Sequence, residues 1–184
     1  MLEPGRFGAA WREQAVAEKI NTSTPGLTLR FAQPADTGLI LQFVRELAEY
    51  ERLSHEVTAD VATLRESLFG ARPVAEVVIA EFEGHPAGFA LFFSNFSTFV
   101  GKTGIYLEDL FVRPAFRRRG IGKVLLTFLA SLAEQRGCGR LEWAVLDWNQ
   151  AAIDFYKTLG ATPMDEWTVF RVTGASLAAL AASK

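Results

Sequence analysis

Cys138 is the only cysteine in the chain. A single thiol excludes an intrachain disulfide framework and any multi-cysteine metal site, and it suits a reducing compartment. Histidine is nearly as scarce. His55 and His85 lack the partner spacing of metal ligands, both read as loop residues, and no metal is expected. No apolar run approaches the roughly 18 residues of a membrane-span candidate, so no membrane partner is expected. Net charge is −2, which argues against a nucleic-acid binder driven by overall charge and leaves room only for a local basic loop. Glu3, Arg6, Arg12 and Glu13 stand where a secretory signal would need an apolar block. A cytoplasmic location follows as the expectation.

What is present is enough for a substantial core: 184 residues, 49% of them apolar and 22% charged. Residues 1–24 read as an N-terminal extension, with a short helix from Ala9 to Ile20 and a linker over Asn21-Thr22-Ser23-Thr24-Pro25-Gly26. Residues 25–184 read as the domain. Leu27, Leu29 and Phe31 alternate as a strand, and Pro34-Ala35-Asp36 leads into a helix with Ile40, Phe43, Val44, Leu47 and Ala48 on one face. A second helix starts from a cap near Thr58 and stops at Gly70. Val74 to Phe82 and Ala87 to Phe93 form a hairpin around Glu83-Gly84-His85-Pro86, and a loop from Ser94 to Gly104 follows.

The stretch from Ile105 to Val112 reads as a strand that Pro114 ends. Gly120 and Gly122 then open a helix that Arg136-Gly137 stops. Leu141, Trp143 and Val145 alternate as a strand, and Asn149 caps a helix from Gln150 to Leu159 that Gly160 ends. A last strand over Trp167 to Val172 and a terminal helix over Ser176 to Ala182 complete the order βααβββαβαβ. The class is mixed α/β with a largely antiparallel sheet.

A strand, a basic glycine loop and a helix N-terminus make an anion-binding device, because glycines admit a ligand to the backbone and the helix dipole favours negative charge. A phosphate-bearing cofactor is therefore expected at Arg117 to Lys123. A P-loop is excluded, since Phe96 stands at its first glycine position before Gly101-Lys102-Thr103. A dinucleotide fingerprint is excluded too, since its third glycine is Leu125.

What does fit is Arg117-x-x-Gly120-x-Gly122, followed by Asn149-x-x-Ala152-x-x-Phe155-Tyr156-x-x-x-Gly160. Here the sequence resembles the GNAT family of N-acetyltransferases over about Leu27 to Val172. Within the family, Leu47-Ala48-Glu49-Tyr50-Glu51, Tyr106 to Val112 and Trp148 to Lys157 look like the diamine (spermidine/spermine) and thialysine N-acetyltransferases. The resemblance implies a central, largely antiparallel sheet with helices on both faces, acetyl-CoA as cosubstrate, a small-molecule primary amine as acceptor, and a homodimer.

By that resemblance the loop of Arg117, Arg118, Arg119, Gly120, Ile121, Gly122 and Lys123 holds the pyrophosphate. Asn149, Ala152, Phe155, Tyr156 and Lys157 flank the coenzyme A arm. Tyr50, Glu51, Glu108, Asp109, Glu142, Trp143 and Ala144 lie on the amine side. The residue chemistry agrees. An alkylamine with a pKa of about 10.4 is almost wholly protonated at neutral pH, so a carboxylate such as Glu108 is needed to attract it and help remove its proton. Backbone amides of Leu110, Phe111 and Val112 suit the oxyanion formed by direct attack on the thioester. A phenol at about 10 can protonate a thiolate whose acid lies at about 8.5, which makes Tyr156 the expected general acid. From His85 through Leu107 there is no Asp or Glu, where polyamine enzymes of the family carry an acidic contact. Ser97-Thr98-Phe99 stands there instead, which keeps a thialysine-like or lysine-like amine in view beside a polyamine. A non-catalytic acetyl-CoA-binding module and an enzyme for peptide amines are the alternatives.

Overall fold

A computed structural model describes residues 19–183. The chain divides into two compact units, Met1–Ala144 and Val145–Lys184. The first contains a six-stranded sheet in sequential order: β1 (Ile20–Asn21), β2 (Leu27–Phe31), β3 (Glu76–Phe82), β4 (His85–Ser97), β5 (Lys102–Val112) and β6 (Leu141–Trp143). All pairs are antiparallel except β5 with β6. The expected α/β class with a mostly antiparallel sheet is what forms.

Two helices, α1 (Thr37–Tyr50) and α2 (Val61–Phe69), cover one face of the sheet. The apolar spacing of α1 brings Ile40, Phe43 and Leu47 onto Val77, Ile79, Phe89 and Phe111. Phe43 stacks on Phe89 at 5.1 Å with the rings 4° from parallel, and Arg113 lies 4.6 Å above the Phe43 ring. Burying each such ring contributes about 1.5–3 kcal/mol. On the opposite face α3 (Ile121–Gln135) buries Ile121, Leu125, Leu126, Leu129 and Leu132, and Arg136 at its end reaches over Phe92. The β3–β4 turn holds two left-handed residues, Glu83 (φ 51) and Gly84 (φ 80), as a two-residue hairpin requires.

Several boundaries differ from the sequence-based expectation. The cap of α2 is Asp60, whose carboxylate accepts from the Thr63 N–H at 2.7 Å, so the helix starts after Thr58. The stretch from Ser94 to Gly104 is mostly ladder, with Asn95↔Gly104, Phe96↔Thr103 and Ser97↔Lys102 paired, and only residues 98–101 turn. Backbone pairing needs no apolar alternation, so β4 and β5 extend past the apolar run. His85 opens β4 instead of lying in a loop. Ile20–Asn21 pairs with β2, and the Thr22 hydroxyl donates to the Leu27 carbonyl at 2.9 Å, so this part of the expected linker is tied down. The rest of the helix expected from Ala9 lies outside the described residues.

The second unit contains α4 (Gln150–Thr158) and α5 (Gly174–Ala182). The strand expected over Trp167 to Val172 does not form. Val169 and Phe170 are 86% and 90% exposed, and an alternating sequence without a ladder partner has nothing to hold it extended.

Gly88, opposite Val112, lies where β4 approaches β5 closely. A Cβ there would run into the Phe111 carbonyl oxygen and stand 3.1 Å from the Val112 Cα. Gly88→Ala is therefore expected to destabilise the fold by about 1–3 kcal/mol, an overpacking cost against rigid backbone. Denaturant unfolding measures it, and an unchanged midpoint would refute the close approach.

Candidate active site

The most consequential feature of β5 is a β-bulge. Pairing with β4 passes from Phe92↔Leu107 directly to Leu91↔Asp109, so Glu108 is the extra residue. A bulge inverts the strand's alternation. Tyr106 opposite Phe93, Asp109 opposite Leu91 and Phe111 opposite Phe89 therefore share the face that α1 covers. Leu107, Leu110 and Val112 share the other. Without the extra residue Asp109 would point toward α3.

At this point α1 ends, and the Glu51 N–H donates back to the Leu47 carbonyl. Its side chain lies near the bulge, so that three carboxylates, Glu51, Glu108 and Asp109, gather from two elements. Burial first, then the charges of Glu108 and Glu51, push the Asp109 carboxyl up to about 6. Burial likewise pushes Glu51 above the usual carboxylate range. Among the described residues Asp109 has neither a cation nor a hydrogen-bond donor. A ligand carrying an ammonium group would relieve the repulsion among all three.

β6 pairs with β5 only from Ile105↔Leu141 to Leu107↔Trp143. Residues 108–112 are consequently held by β4 alone, and the other edge of that half-strand presents backbone amides that no strand among the described residues receives.

The expected anion loop follows. Arg118 and Gly120 both adopt left-handed backbone, φ 63 and φ 78, and α3 begins at Ile121 with no side chain capping it. The amides of a first helical turn have no intrahelical acceptor, so here they and the helix dipole favour an anion. A Cβ added at Gly120 or Gly122 would meet nothing within 4 Å, so the space at the loop is open. A phosphate group fits this chemistry. Lys123 also lines a cleft of about 670 Å³ between residues 20–24 and α3, which contains none of the three carboxylates.

Arg117 behaves differently from its neighbours. Its Nε donates to the Val112 carbonyl at 3.0 Å and its guanidinium lies 4.5 Å from the centre of the Tyr50 ring. It thereby ties the end of α1 to the end of β5. Arg119 lies over the Phe82 ring at 4.8 Å. On β6, Glu142 accepts from Asn95 Nδ2 at 2.7 Å and Arg140 Nε at 2.8 Å, so its carboxylate is already engaged. Trp143 is half-buried and Ala144 exposed.

In the second unit the Asn149 side chain accepts from the Ala152 N–H at 3.3 Å and starts α4 as its cap. Ala152, Phe155 and Tyr156 follow at helical spacing, all half-buried, while Lys157 is exposed. The Phe155 and Tyr156 rings lie 5.5 Å apart.

The structure thus brings together Glu51, Glu108 and Asp109, ties Tyr50 to Arg117 and Val112, and aligns Ala152 with Phe155 and Tyr156. Sequence reasoning overlooked the bulge and the separate role of Arg117. A signal for the bulge was there, because the apolar beat Ile105, Leu107, Leu110, Val112 skips a place between its second and third members.

An open helix N-terminus that favours an anion and a cluster of carboxylates that favours a cation suit an acyl transfer from a phosphorylated carrier to an amine. Residues 41–161 match the Acetyltransferase (GNAT) family, and the chain belongs to it. It is an acetyltransferase. It is 40% identical to the thialysine N-epsilon-acetyltransferase of Bos taurus, over 83% of this chain and 96% of that protein. It is 34% identical to the L-ornithine N5-acetyltransferase NATA1 of Arabidopsis thaliana, over 83% of this chain and 86% of that one. Among solved structures, an integron cassette protein from the mobile metagenome of V. cholerae superposes with a TM-score of 0.73 at 26% identity, covering 86% of this chain and 99% of that one.

Proposed function

We propose that this acetyltransferase moves the acetyl group of acetyl-CoA onto a primary amine of a small diamino acid, of the thialysine or ornithine kind. The observation that carries this reading is the concentration of Glu51, Glu108 and Asp109 at one end of α1 with no cation among them. Charge gathered at one point suits one ammonium group, whereas a long polycation favours carboxylates spread along a channel. The relatives named for thialysine and ornithine point the same way.

Acetyl-CoA supplies the acyl group as a thioester. The loop of residues 118–123 holds its pyrophosphate while Arg117 braces it against Val112 and Tyr50, and Asn149, Ala152, Phe155 and Lys157 flank its arm. The carboxylates draw in the ammonium ion and accept its proton. The freed amine attacks, amides of residues 110–112 stabilise the oxyanion, and the tetrahedral intermediate gives up its second N–H proton to solvent as the C–S bond breaks. Tyr156 protonates the departing thiolate. The catalytic domain is residues 25–184 together with strand β1 at Ile20–Asn21, acting as a cytoplasmic homodimer.

A panel of thialysine, lysine, ornithine, putrescine, spermidine and a lysine peptide, read by coenzyme A release, tests the acceptor. Diamino acids are expected to exceed spermidine by about tenfold or more in kcat/KM, the discrimination of one charged contact. Turnover confined to the peptide, or coenzyme A binding with no turnover on any amine, would overturn the proposal.

A further inference from the structure

Resting on that reading of the site, we infer that Arg140 and Glu142, held in place by Asn95, form a second subsite that receives the α-ammonium and α-carboxylate of the acceptor. The reacting ammonium then lies at Glu51, Glu108 and Asp109, and the zwitterionic end of the same molecule lies at this pair.

The register of the sheet places both groups on one surface. Tyr106 lies opposite Phe93 on β4 and opposite Glu142 on β6, and Asn95 lies opposite Gly104. Side chains alternate along a strand, so Phe93, Asn95, Tyr106 and Glu142 share the face on which Asp109 lies. The residues from Tyr106 to Asp109, at about 3.3 Å each, put the acidic cluster about 10 Å along β5, less what the bulge takes up. The side-chain nitrogen and carboxyl carbon of thialysine are separated by about six bonds of about 1.5 Å, which spans that gap once hydrogen bonds are added at both ends. Between the two groups lie the half-buried Phe93 and Tyr106 rings, 5.2 Å apart, an aromatic floor for methylenes or a thioether sulfur.

The pair is bonded so that one group of each sign is left over. Asn95 Nδ2 at 2.7 Å and Arg140 Nε at 2.8 Å both end on Oε2 of Glu142. Oε1 of Glu142 and the terminal nitrogens of Arg140 make no further bond among the described residues. The two side chains are 37% and 35% exposed for Arg140 and Glu142, so a ligand can reach them. An amino acid carries the complementary charges, an ammonium for the carboxylate oxygen and a carboxylate for the planar guanidinium. A polyamine has nothing to offer the guanidinium.

Holding the pair has a cost. Asn95 donates to Glu142 and leaves its own Oδ1 buried without a partner, where buried acceptors are nearly always bonded. Gly104 makes room for the arrangement, since a Cβ there would run into Asn95 Oδ1 and stand 2.9 Å from Arg140 Cγ. A surface ion pair that served stability alone contributes little and has no need of such an anchor.

The test compares kcat/KM, by coenzyme A release, for thialysine, its decarboxylated diamine and Nα-acetyl-thialysine. The wild type is expected to prefer thialysine to either analogue by about tenfold or more, through KM more than kcat. In Arg140→Gln the preference over the diamine falls below about twofold, while the preference over Nα-acetyl-thialysine persists because Glu142 still meets the ammonium. Arg140→Lys keeps the charge but cannot hold Glu142 and a carboxylate at once, so its preference over the diamine falls only to about fourfold.

Equal losses on thialysine and the diamine in Arg140→Gln would make Arg140 a structural residue and overturn the inference. If Arg140→Gln does not fold, Arg140→Lys decides, because a preference unmoved from that of the wild type would also overturn it. A wild type that turns over thialysine and the diamine alike overturns only this inference. A wild type that turns over no amine overturns the underlying reading and this inference with it.

Discussion

Tyr156→Phe is expected to lower kcat about 100- to 1,000-fold while changing the affinity for acetyl-CoA less than about threefold, the signature of a lost general acid. The substitution keeps the ring that aligns with Ala152 and Phe155 on α4, so the helix face proposed to flank the coenzyme A arm retains its shape. Only the hydroxyl goes. A thiolate is a tolerable leaving group, so water can still protonate it slowly, and residual turnover is expected. Comparing kcat with the coenzyme A dissociation constant separates the two roles. A fall in affinity that matches the fall in kcat would make Tyr156 a packing residue, and near wild-type turnover would remove it from the mechanism.

The protein's pH behaviour carries a second consequence of the same site. A carboxyl raised in the folded state keeps its proton on folding between its unfolded value of 3.8 and about 6. The contribution of Asp109 to stability is therefore fully present below that window and is lost as pH rises through it. The acidic cluster costs the free enzyme stability at neutral pH, and the acceptor ammonium proposed to bind there would offset that cost.

How far the site was legible in the sequence depends on which interaction fixes each residue in place. Motifs that act through backbone geometry could be read directly. Gly120 opens the helix it was expected to open, and Asn149 caps the helix it was expected to cap. Apolar periodicity likewise located α1 and its contacts, since Phe43 and Leu47 have only one face to bury. Features set by pairing between distant strands were not legible. The length of β4 and β5 depends on a ladder through Asn95 and Phe96, whose side chains announce nothing. The face on which Asp109 lies depends on one unpaired residue. Arg117 could not be told from Arg118 and Arg119 until the fold brought Tyr50 beside it. The absent last strand is the converse case, a good pattern with no partner to complete it.

Gly120→Trp is expected to abolish measurable coenzyme A binding, raising the dissociation constant by at least about 100-fold, a loss near 2.7 kcal/mol. Backbone strain and steric exclusion act together here. At φ 78 any side chain meets the left-handed penalty of about 1–2 kcal/mol, which falls on the loop and on the start of α3. Steric exclusion contributes more. A Cβ at Gly120 meets nothing within 4 Å in the free protein, so a side chain can start there, and an indole at the mouth of α3 is expected to compete with a phosphate for the first-turn amides. Fold and binding should therefore separate. The unfolding midpoint drops modestly while calorimetry detects no coenzyme A, and Gly122→Ala, also in open space but at a helical φ, retains more of the affinity. An unchanged dissociation constant in Gly120→Trp would move the pyrophosphate away from this loop.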